Sequence, residues 1–205
     1  SDVCSSDLGA DARTRSIAGT DALTVAAAYR GSAEIIRLLL DAGAEAQPSK
    51  EVRLRHRAVV LAAMAGDVDN VKLLAPHSPD FLPDALSQAV TFGYPDVVRA
   101  LIDAGSTVLV TDSSGITMLH WAAITNRAPL ISVLVGAGLA IDALDDWGFT
   151  PLMYAAAIDF GETTTLEELL KTGASRTVKN IEGRTALDEA IRLKHTKAAA
   201  LLRRK

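Results

Sequence analysis

A short phrase recurs six times along this chain of 205 residues. Each copy places apolar residues one helical turn apart, and most copies include a pair of small residues, as in "DALTVAA" and "TPLMYAA". The copies begin at residues 21, 57, 84, 117, 150 and 185, so successive starts are 36, 27, 33, 33 and 35 residues apart. A period close to 33 restricts the chain to an array of stacked units, each in contact with its neighbours.

Each unit is predicted to be a pair of short antiparallel helices. A second phrase follows the first in five units, as in "IIRLLLDAG" at 35–43 and "VVRALIDAG" at 97–105. Its apolar residues repeat on one helical face. We predict that the first helices begin at residues that accept backbone N–H bonds, and that the second helices end at glycines. The predicted caps are Asp21, Asp84, Thr117, Thr150 and Thr185, and the predicted terminal glycines are Gly43, Gly105, Gly138 and Gly173.

The phrases "TMLHWAA" at 117–123 and "TPLMYAA" at 150–156, with endings such as "LLLDAGAEA" and "LLKTGASRT", resemble ankyrin repeats. The resemblance covers about residues 9–205, as one domain of five full repeats and a C-terminal capping repeat near residue 185. It implies an all-α solenoid of stacked antiparallel helix pairs joined by β-hairpin-like finger loops. The expected fingers are 43–56, 105–116, 138–149 and 173–184.

Two segments depart from the repeat. Pro76, Pro79 and Pro83 disfavour a regular helix, and the second unit has 27 residues, so we predict an absent or degenerate finger there. This proline-rich segment is also predicted to be the weakest joint of the array. The fifth unit has a longer turn between its helices, at 157–165.

The first eight residues, Ser1–Leu8, match no part of the repeat and contain Cys4. We interpret them as a non-native segment that resembles the translation of a sequencing adapter; a disordered polar tail is the alternative. The "GADA" at 9–12 resembles the start of a finger without a preceding helix. We therefore expect the chain to be N-terminally truncated, with at least one further repeat upstream.

Composition and spacing do not indicate an enzyme. The four histidines are scattered, and a single cysteine provides neither a disulfide framework nor a cysteine-rich zinc site. His120 lies at the histidine position of the repeat phrase, where the resemblance implies a structural hydrogen bond. Asp142, Asp145 and Asp146 are interpreted as a solvated finger tip. We predict no catalytic residues, cofactor or metal.

The resemblance implies a non-catalytic module that binds another protein through its finger tips and concave groove. Trp121 and Tyr154 are interpreted as packing between repeats, and Trp147 as the centre of the partner site. Apolar side chains at the ends of the first helices extend that site; local packing is the alternative for this row. The predicted partner-binding residues are Tyr29, Met64, Phe92, Ile124, Asp145, Asp146, Trp147, Phe149, Asp159 and Phe160.

A formal net charge of −4 favours a somewhat basic protein partner and disfavours nucleic acid. We expect no membrane insertion and a monomer. The location is left open, with the cytoplasm favoured, because we expect the native N-terminus to be missing. Two alternatives remain open. The segment is the targeting arm of a larger enzyme or effector whose catalytic domain lies upstream, or it is a structural spacer with a polar groove.

Overall fold

The computed structural model describes residues 11, 12, 14, 16, 20–46, 57–109, 111–158 and 160–204. Over these residues the chain forms twelve α-helices in six pairs, which confirms the all-α class. The first helices are α1 (Ala22–Ala27), α3 (Ala58–Ala65), α5 (Leu82–Phe92), α7 (Met118–Ile124), α9 (Pro151–Ala157) and α11 (Ala186–Arg192). The second helices are α2 (Ala33–Asp41), α4 (Val68–Leu74), α6 (Pro95–Asp103), α8 (Ala128–Gly136), α10 (Thr164–Lys171) and α12 (Thr196–Arg203). Ser1–Leu8, with Cys4, lies outside the described residues.

The pairs stack in chain order. Each first helix packs against the first helix of the next pair, from α1 to α11, and the second helices α2 to α10 also pack side by side. One continuous core runs through the stack, with a fully buried leucine at the same position in α1, α5, α7 and α9. These leucines are Leu23, Leu86, Leu119 and Leu152. The core is a column of layers, as expected for a solenoid.

Four of the five predicted caps are confirmed. The Asp21 carboxylate accepts the Thr24 backbone N–H at 2.7 Å, and Thr117, Thr150 and Thr185 accept backbone N–H groups in the same way. Asp84 was wrongly assigned, because α5 begins at Leu82. Proline is well tolerated in a first helical turn, so Pro83 lets the helix begin earlier. Asp84 instead accepts a hydrogen bond from Arg57 Nη1 at 2.7 Å.

The four predicted glycine ends are also confirmed. Gly43, Gly105, Gly138 and Gly173 all have φ between +86° and +106°, in the left-handed region that favours glycine. After α2, the Ala44 N–H returns to the Leu39 carbonyl at 2.9 Å, which satisfies one of the free carbonyls of the helix end. The chain then leaves the second helix toward the next finger.

The proline-rich segment forms two 3-10 turns in place of a finger, Ala75–His77 and Pro79–Phe81. Ser78 between them is buried, and its hydroxyl donates to the Ala46 carbonyl at 3.0 Å. The Phe81 ring is buried as well, with the Arg57 guanidinium 3.9 Å from the ring centroid. Helices α3 and α5 pack directly on each other. The stack is therefore continuous across this joint.

Candidate functional site

The finger before α9 is built around the Asp145 carboxylate. Its Oδ1 atom accepts the backbone N–H groups of Trp147 at 3.0 Å and Phe149 at 2.8 Å. Its Oδ2 atom accepts the Tyr154 hydroxyl at 2.7 Å. Asp145 is buried, so the carboxylate fixes the finger turn to the first turns of α9.

Two other fingers contain the same turn. Asp112 Oδ1 accepts the N–H groups of Ser114 and Ile116, and Asn180 Oδ1 accepts those of Glu182 and Arg184. In the sequence each of these residues precedes a glycine by three positions, as in "DSSG", "DDWG" and "NIEG". This spacing is the signal that identifies the turn. The interpretation of the acidic cluster as a solvated tip was wrong for Asp145, which is buried, whereas Asp146 is exposed.

The fingers are joined to each other through their backbones. The Asp146 N–H donates to the Ser114 carbonyl at 3.0 Å, and the Ile181 N–H donates to the Trp147 carbonyl at 3.1 Å. Gly148 makes the second contact possible: its φ is +71°, and a Cβ atom there would lie 3.0 Å from Ile181 N and 3.1 Å from Asn180 Cα. The Asp142 carboxylate adds a further link by accepting the Ser175 N–H at 2.9 Å. The three fingers therefore form one connected row.

Four of the predicted partner-binding residues lie on this finger, and they divide into two groups. Trp147 is 48% exposed and Asp146 is exposed, so both can reach a partner. Asp145 is buried, and the half-buried Phe149 ring packs against Tyr154 with centroids 5.3 Å apart. Asp145 and Phe149 therefore support the site from below and do not form its rim.

His120 connects α7 to this finger. Its Nδ1 atom accepts the Thr117 backbone N–H at 3.1 Å, and its Nε2 atom lies 3.0 Å from the Phe149 carbonyl, which assigns the proton to Nε2. The ring also meets Tyr154 edge-on, with centroids 5.7 Å apart. Burial lowers the pKa of His120 below its usual 6.5, against the raising effect of the Phe149 carbonyl. The predicted structural role of this histidine is consistent with these contacts.

The other predicted residues lie at the opposite end of the first helices. Tyr29, Phe92 and Phe160 are exposed, and Met64 and Ile124 are half-buried. All five lie at or just after the C-terminal ends of first helices. Asp159 lies outside the described residues. Because α9 has seven residues, Phe160 and Trp147 are separated by roughly the 10 Å length of that helix. The predicted site therefore consists of two patches. One is the finger patch around Trp147, and the other is the row of these five residues at the C-terminal ends of the first helices, which we call the turn-edge row.

Trp121 and Tyr154 occupy equivalent positions but differ in exposure. Tyr154 is half-buried between His120 and Phe149, as its packing role requires. Trp121 is 42% exposed, so the interpretation of its ring as packing between repeats was wrong. The Tyr154 hydroxyl also bonds to Asp145, which holds that ring against the finger. Trp121 is a surface aromatic residue that the sequence interpretation missed.

The longer turn of the fifth pair encloses a small cleft of about 110 Å³ behind Phe160. Its polar lining groups bond to one another: Asn126 Nδ2 donates to Glu162 at 2.7 Å, and Thr165 donates to Asn126 Oδ1 at 2.6 Å. Within the part of the chain that the structure describes, no cluster of three or more His, Cys, Asp and Glu side chains is arranged to hold a metal ion. Nor does any helix there have the length and apolar character of a membrane span.

Residues 86–180 match the family model described as ankyrin repeats in three copies. Together with the helix pairs, the glycine ends and the fingers of this region, the match shows that residues 86–180 are ankyrin repeats.

Several curated relatives are similar to part of the chain. The putative palmitoyltransferase ZDHHC13 of Danio rerio is 32% identical over 127 residues, which are 62% of this chain and 19% of that protein. Palmitoyltransferase ZDHHC17 of Homo sapiens is 32% identical over 108 residues, 52% of this chain and 17% of that protein. Palmitoyltransferase Hip14 of Drosophila melanogaster is 33% identical over 110 residues, 53% of this chain and 17% of that protein. The matches thus cover less than a fifth of each relative.

Proposed function

We propose that this ankyrin-repeat chain is a non-catalytic module that binds another protein, with the finger patch around Trp147 as its centre. The observation that carries the proposal is a half-exposed tryptophan on a turn whose backbone is fixed by Asp145 and by the neighbouring fingers. A preformed surface loses little conformational entropy when it binds, so more of the contact energy contributes to affinity. Tryptophan is enriched among the residues that dominate binding energy.

The proposed partner is somewhat basic. Asp146 is exposed beside Trp147, and the chain has a net charge of −4. Complementary charge accelerates encounter and disfavours wrong partners. The turn-edge row and Trp121 are second contact regions for a partner that extends beyond the finger.

The experiment is an affinity purification with the chain as bait, followed by titration of the recovered protein against wild type and Trp147→Ala. Loss of a central anchor is expected to weaken binding by about 2 kcal/mol or more. Thermal stability should change little, because the ring is a surface group. Leu109→Ala, which removes an exposed apolar side chain from another finger, is the matched control and should bind as wild type. Equal binding by Trp147→Ala and wild type would show that the finger patch is not the centre of recognition.

A second function follows from the relatives, which carry the name palmitoyltransferase. In this proposal the repeats are the recruiting arm of a larger enzyme and present a substrate protein to a catalytic domain elsewhere in that enzyme. The test is to obtain the complete coding sequence and measure palmitoyl transfer to the recovered partner. Trp147→Ala should reduce transfer to that partner through weaker recruitment, with the largest loss at low partner concentration. A complete coding sequence that encodes no such catalytic domain would reject this second function and leave the first intact.

A further inference from the structure

Helix α8 differs from the other second helices because it contains no charged residue. Each of the other five contains at least two of Asp, Glu, Lys and Arg, whereas α8 has the sequence "APLISVLVG". Where α6 has the exposed residues Arg99 and Asp103, α8 has Ser132 and Gly136, which are exposed as well. A helix that is largely apolar on all sides is typical of a buried position. The sequence of α8 therefore indicates that its outer side is covered.

The outer side of α8 borders a shallow groove of about 350 Å³ between α6 and α8. Half-buried apolar side chains line this groove, among them Ile102, Val133 and Ala137. Helix α8 packs against α6 on one side and α10 on the other, so this surface lies within the stack and not at an end of it. We call the outer surface of α6, α8 and α10 the back surface.

The charges on the two sides of α8 are inverted. Two exposed positions, six and two residues before the terminal glycine, recur in α6 and α10. In α6 they hold Arg99 and then Asp103, whereas in α10 they hold Glu167 and then Lys171. The order is basic then acidic on one side, and acidic then basic on the other, with the uncharged α8 between them. A surface with this pattern is complementary to a second copy of itself.

A two-fold axis that runs along α8 would place each of these charges against its opposite. Such an axis preserves positions along the helices and exchanges the two sides of α8, so α6 of one copy faces α10 of the other. Arg99 then meets Glu167 of the second copy, and Asp103 meets Lys171 of the second copy. Each contact occurs twice because of the symmetry. Long side chains such as arginine, lysine and glutamate can meet across a gap beside the central α8 contact.

Within one copy, these charges have local partners that hold them weakly. Arg99 pairs with Asp96 at 2.7 Å, and Lys171 pairs with Glu168 at 3.2 Å. Glu167 accepts a hydroxyl from the turn before α10 at 2.7 Å. Exposed ion pairs of this kind contribute about 0–1 kcal/mol, so they do not prevent Arg99 and Lys171 from meeting a second copy.

From this geometry we propose that two copies of the chain bind through their back surfaces, about a two-fold axis along α8. The uncharged side of α8 and the groove beside it form the centre of the contact, and the charges of α6 and α10 form its rim. A second copy is the occupant because it already carries the inverted charge pattern that this rim requires. The contact uses the same surface on both copies, so association stops at a dimer.

The dimer would leave the proposed partner site free. The finger patch and the turn-edge row belong to the fingers and the first helices, whereas the back surface belongs to the second helices. A dimer therefore presents two copies of the finger patch, and a partner with two matching sites would bind it more tightly than it binds one copy. The monomer expected from the sequence is then the dissociated form.

The test is sedimentation velocity of the 205-residue chain over a wide concentration range. Wild type should change from monomer to dimer as concentration rises, without larger species, and higher salt should weaken the dimer because the charges are exposed. Asp103→Lys and Lys171→Asp each place like charges together at two points and should weaken the dimer at least about tenfold. Asp41→Lys makes the same change at the equivalent position of α2, which is separated from α6 by α4, and should behave as wild type.

Mixing the two variants gives a sharper result. In an equimolar mixture of Asp103→Lys and Lys171→Asp, opposite charges face each other at every rim contact, so a dimer of one copy of each should form. The double variant Asp103→Lys/Lys171→Asp should dimerise as well, for the same reason. Recovery of this kind requires both single variants to be folded, and it cannot arise from a change in the stability of one copy.

Ser132→Glu tests the centre of the contact independently of the rim. It gives α8 the residue type that α10 has at this exposed position, so the fold should tolerate it. Two carboxylates would then meet near the axis, and the dimer should weaken at least about tenfold. A wild type that stays monomeric to its solubility limit would overturn the proposal and show that something other than a second copy covers α8. A dimer that persists in Ser132→Glu and in both rim variants would place the contact elsewhere and overturn it equally. Neither result would bear on the role of Trp147.

Discussion

The joint at residues 75–81 and the fingers at 112–116, 145–149 and 180–184 connect neighbouring repeats in different ways. The proline joint connects them through buried side chains: Phe81 packs under Arg57, and Ser78 bonds to Ala46. The fingers connect them through backbone hydrogen bonds in register, with a side-chain oxygen at the centre of each turn. A joint made by buried side chains has no turn that projects from the surface. A joint made by backbone bonds leaves side chains such as Trp147 free to face solvent.

The largest loss of stability is expected from a substitution in the proline joint, residues 75–81. Phe81→Ala should lower the free energy of unfolding by about 3–5 kcal/mol, because it removes a buried ring and leaves a cavity under Arg57. Urea denaturation followed by circular dichroism measures this, with Phe160→Ala as the control for loss of an exposed phenylalanine. The control should change stability by under about 0.5 kcal/mol. A similar small change for Phe81→Ala would instead support a loosely packed joint, as the prolines alone had suggested.

The backbone contact between fingers is tested at Gly148. Gly148→Ala should cost about 2 kcal/mol or more, because alanine disfavours a φ of +71° and its Cβ would crowd Asn180 and Ile181. Gly183 is the matched control: its φ is +73°, but a Cβ atom there has no neighbour within 4 Å. Gly183→Ala should therefore cost only about 1 kcal/mol of backbone strain. Equal costs at the two glycines would mean that the contact between fingers adds nothing to stability.

Some features of these regions could be predicted from the sequence and others could not, for physical reasons. Threonine caps and glycine ends are local hydrogen-bonding and φ requirements, so four of five caps and all four glycines were found from the residues alone. The role of Asp145 was missed because a run of acidic residues resembles a solvated surface, and its burial depends on Tyr154 nine positions later. The exposure of Trp121 could not be predicted from its place in the repeat, because the half-buried Tyr154 holds the equivalent place. The separation of Trp147 from Phe160 follows from their places at opposite ends of one helix.

In the last finger, ion pairs around Glu189 take the place of the hydrogen bond between Asp145 and Tyr154. Their contribution to stability can be tested. Glu189 is fully buried and accepts bonds from Arg184 Nε at 2.6 Å, Arg192 Nη2 at 2.6 Å and Asn180 Nδ2 at 3.1 Å. Glu189→Gln should cost about 2 kcal/mol at neutral pH, less than for a fully buried ion pair because both arginines are partly exposed. Glu182→Gln removes an exposed carboxylate beside the same Arg184 and should cost under about 1 kcal/mol.

The Glu189 effect should also depend on pH. Burial raises the pKa of Glu189, but the hydrogen bonds and charges of Arg184 and Arg192 outweigh it and hold the pKa below 4.5. The unfolded chain therefore takes up this proton at a higher pH than the folded chain. The contribution of Glu189 is present above pH 4.5 and is lost as the pH falls through the folded pKa. A stability difference between wild type and Glu189→Gln that stays constant down to pH 3 would contradict this assignment.

The smallest effect is the acid sensitivity of the His120 contact between α7 and the Trp147 finger. Burial lowers the pKa of His120 below 6.5, so the unfolded chain binds a proton that the folded chain excludes. The free energy of unfolding should fall as the pH drops below about 6.5, by at most about 1.4 kcal/mol per pH unit. His120→Asn keeps an acceptor for the Thr117 N–H but cannot take up this proton, so that component of the slope should vanish. Urea titrations at pH 7.0, 6.0 and 5.5 compare wild type with His120→Asn, and an unchanged slope in the variant would mean that acid acts on another group.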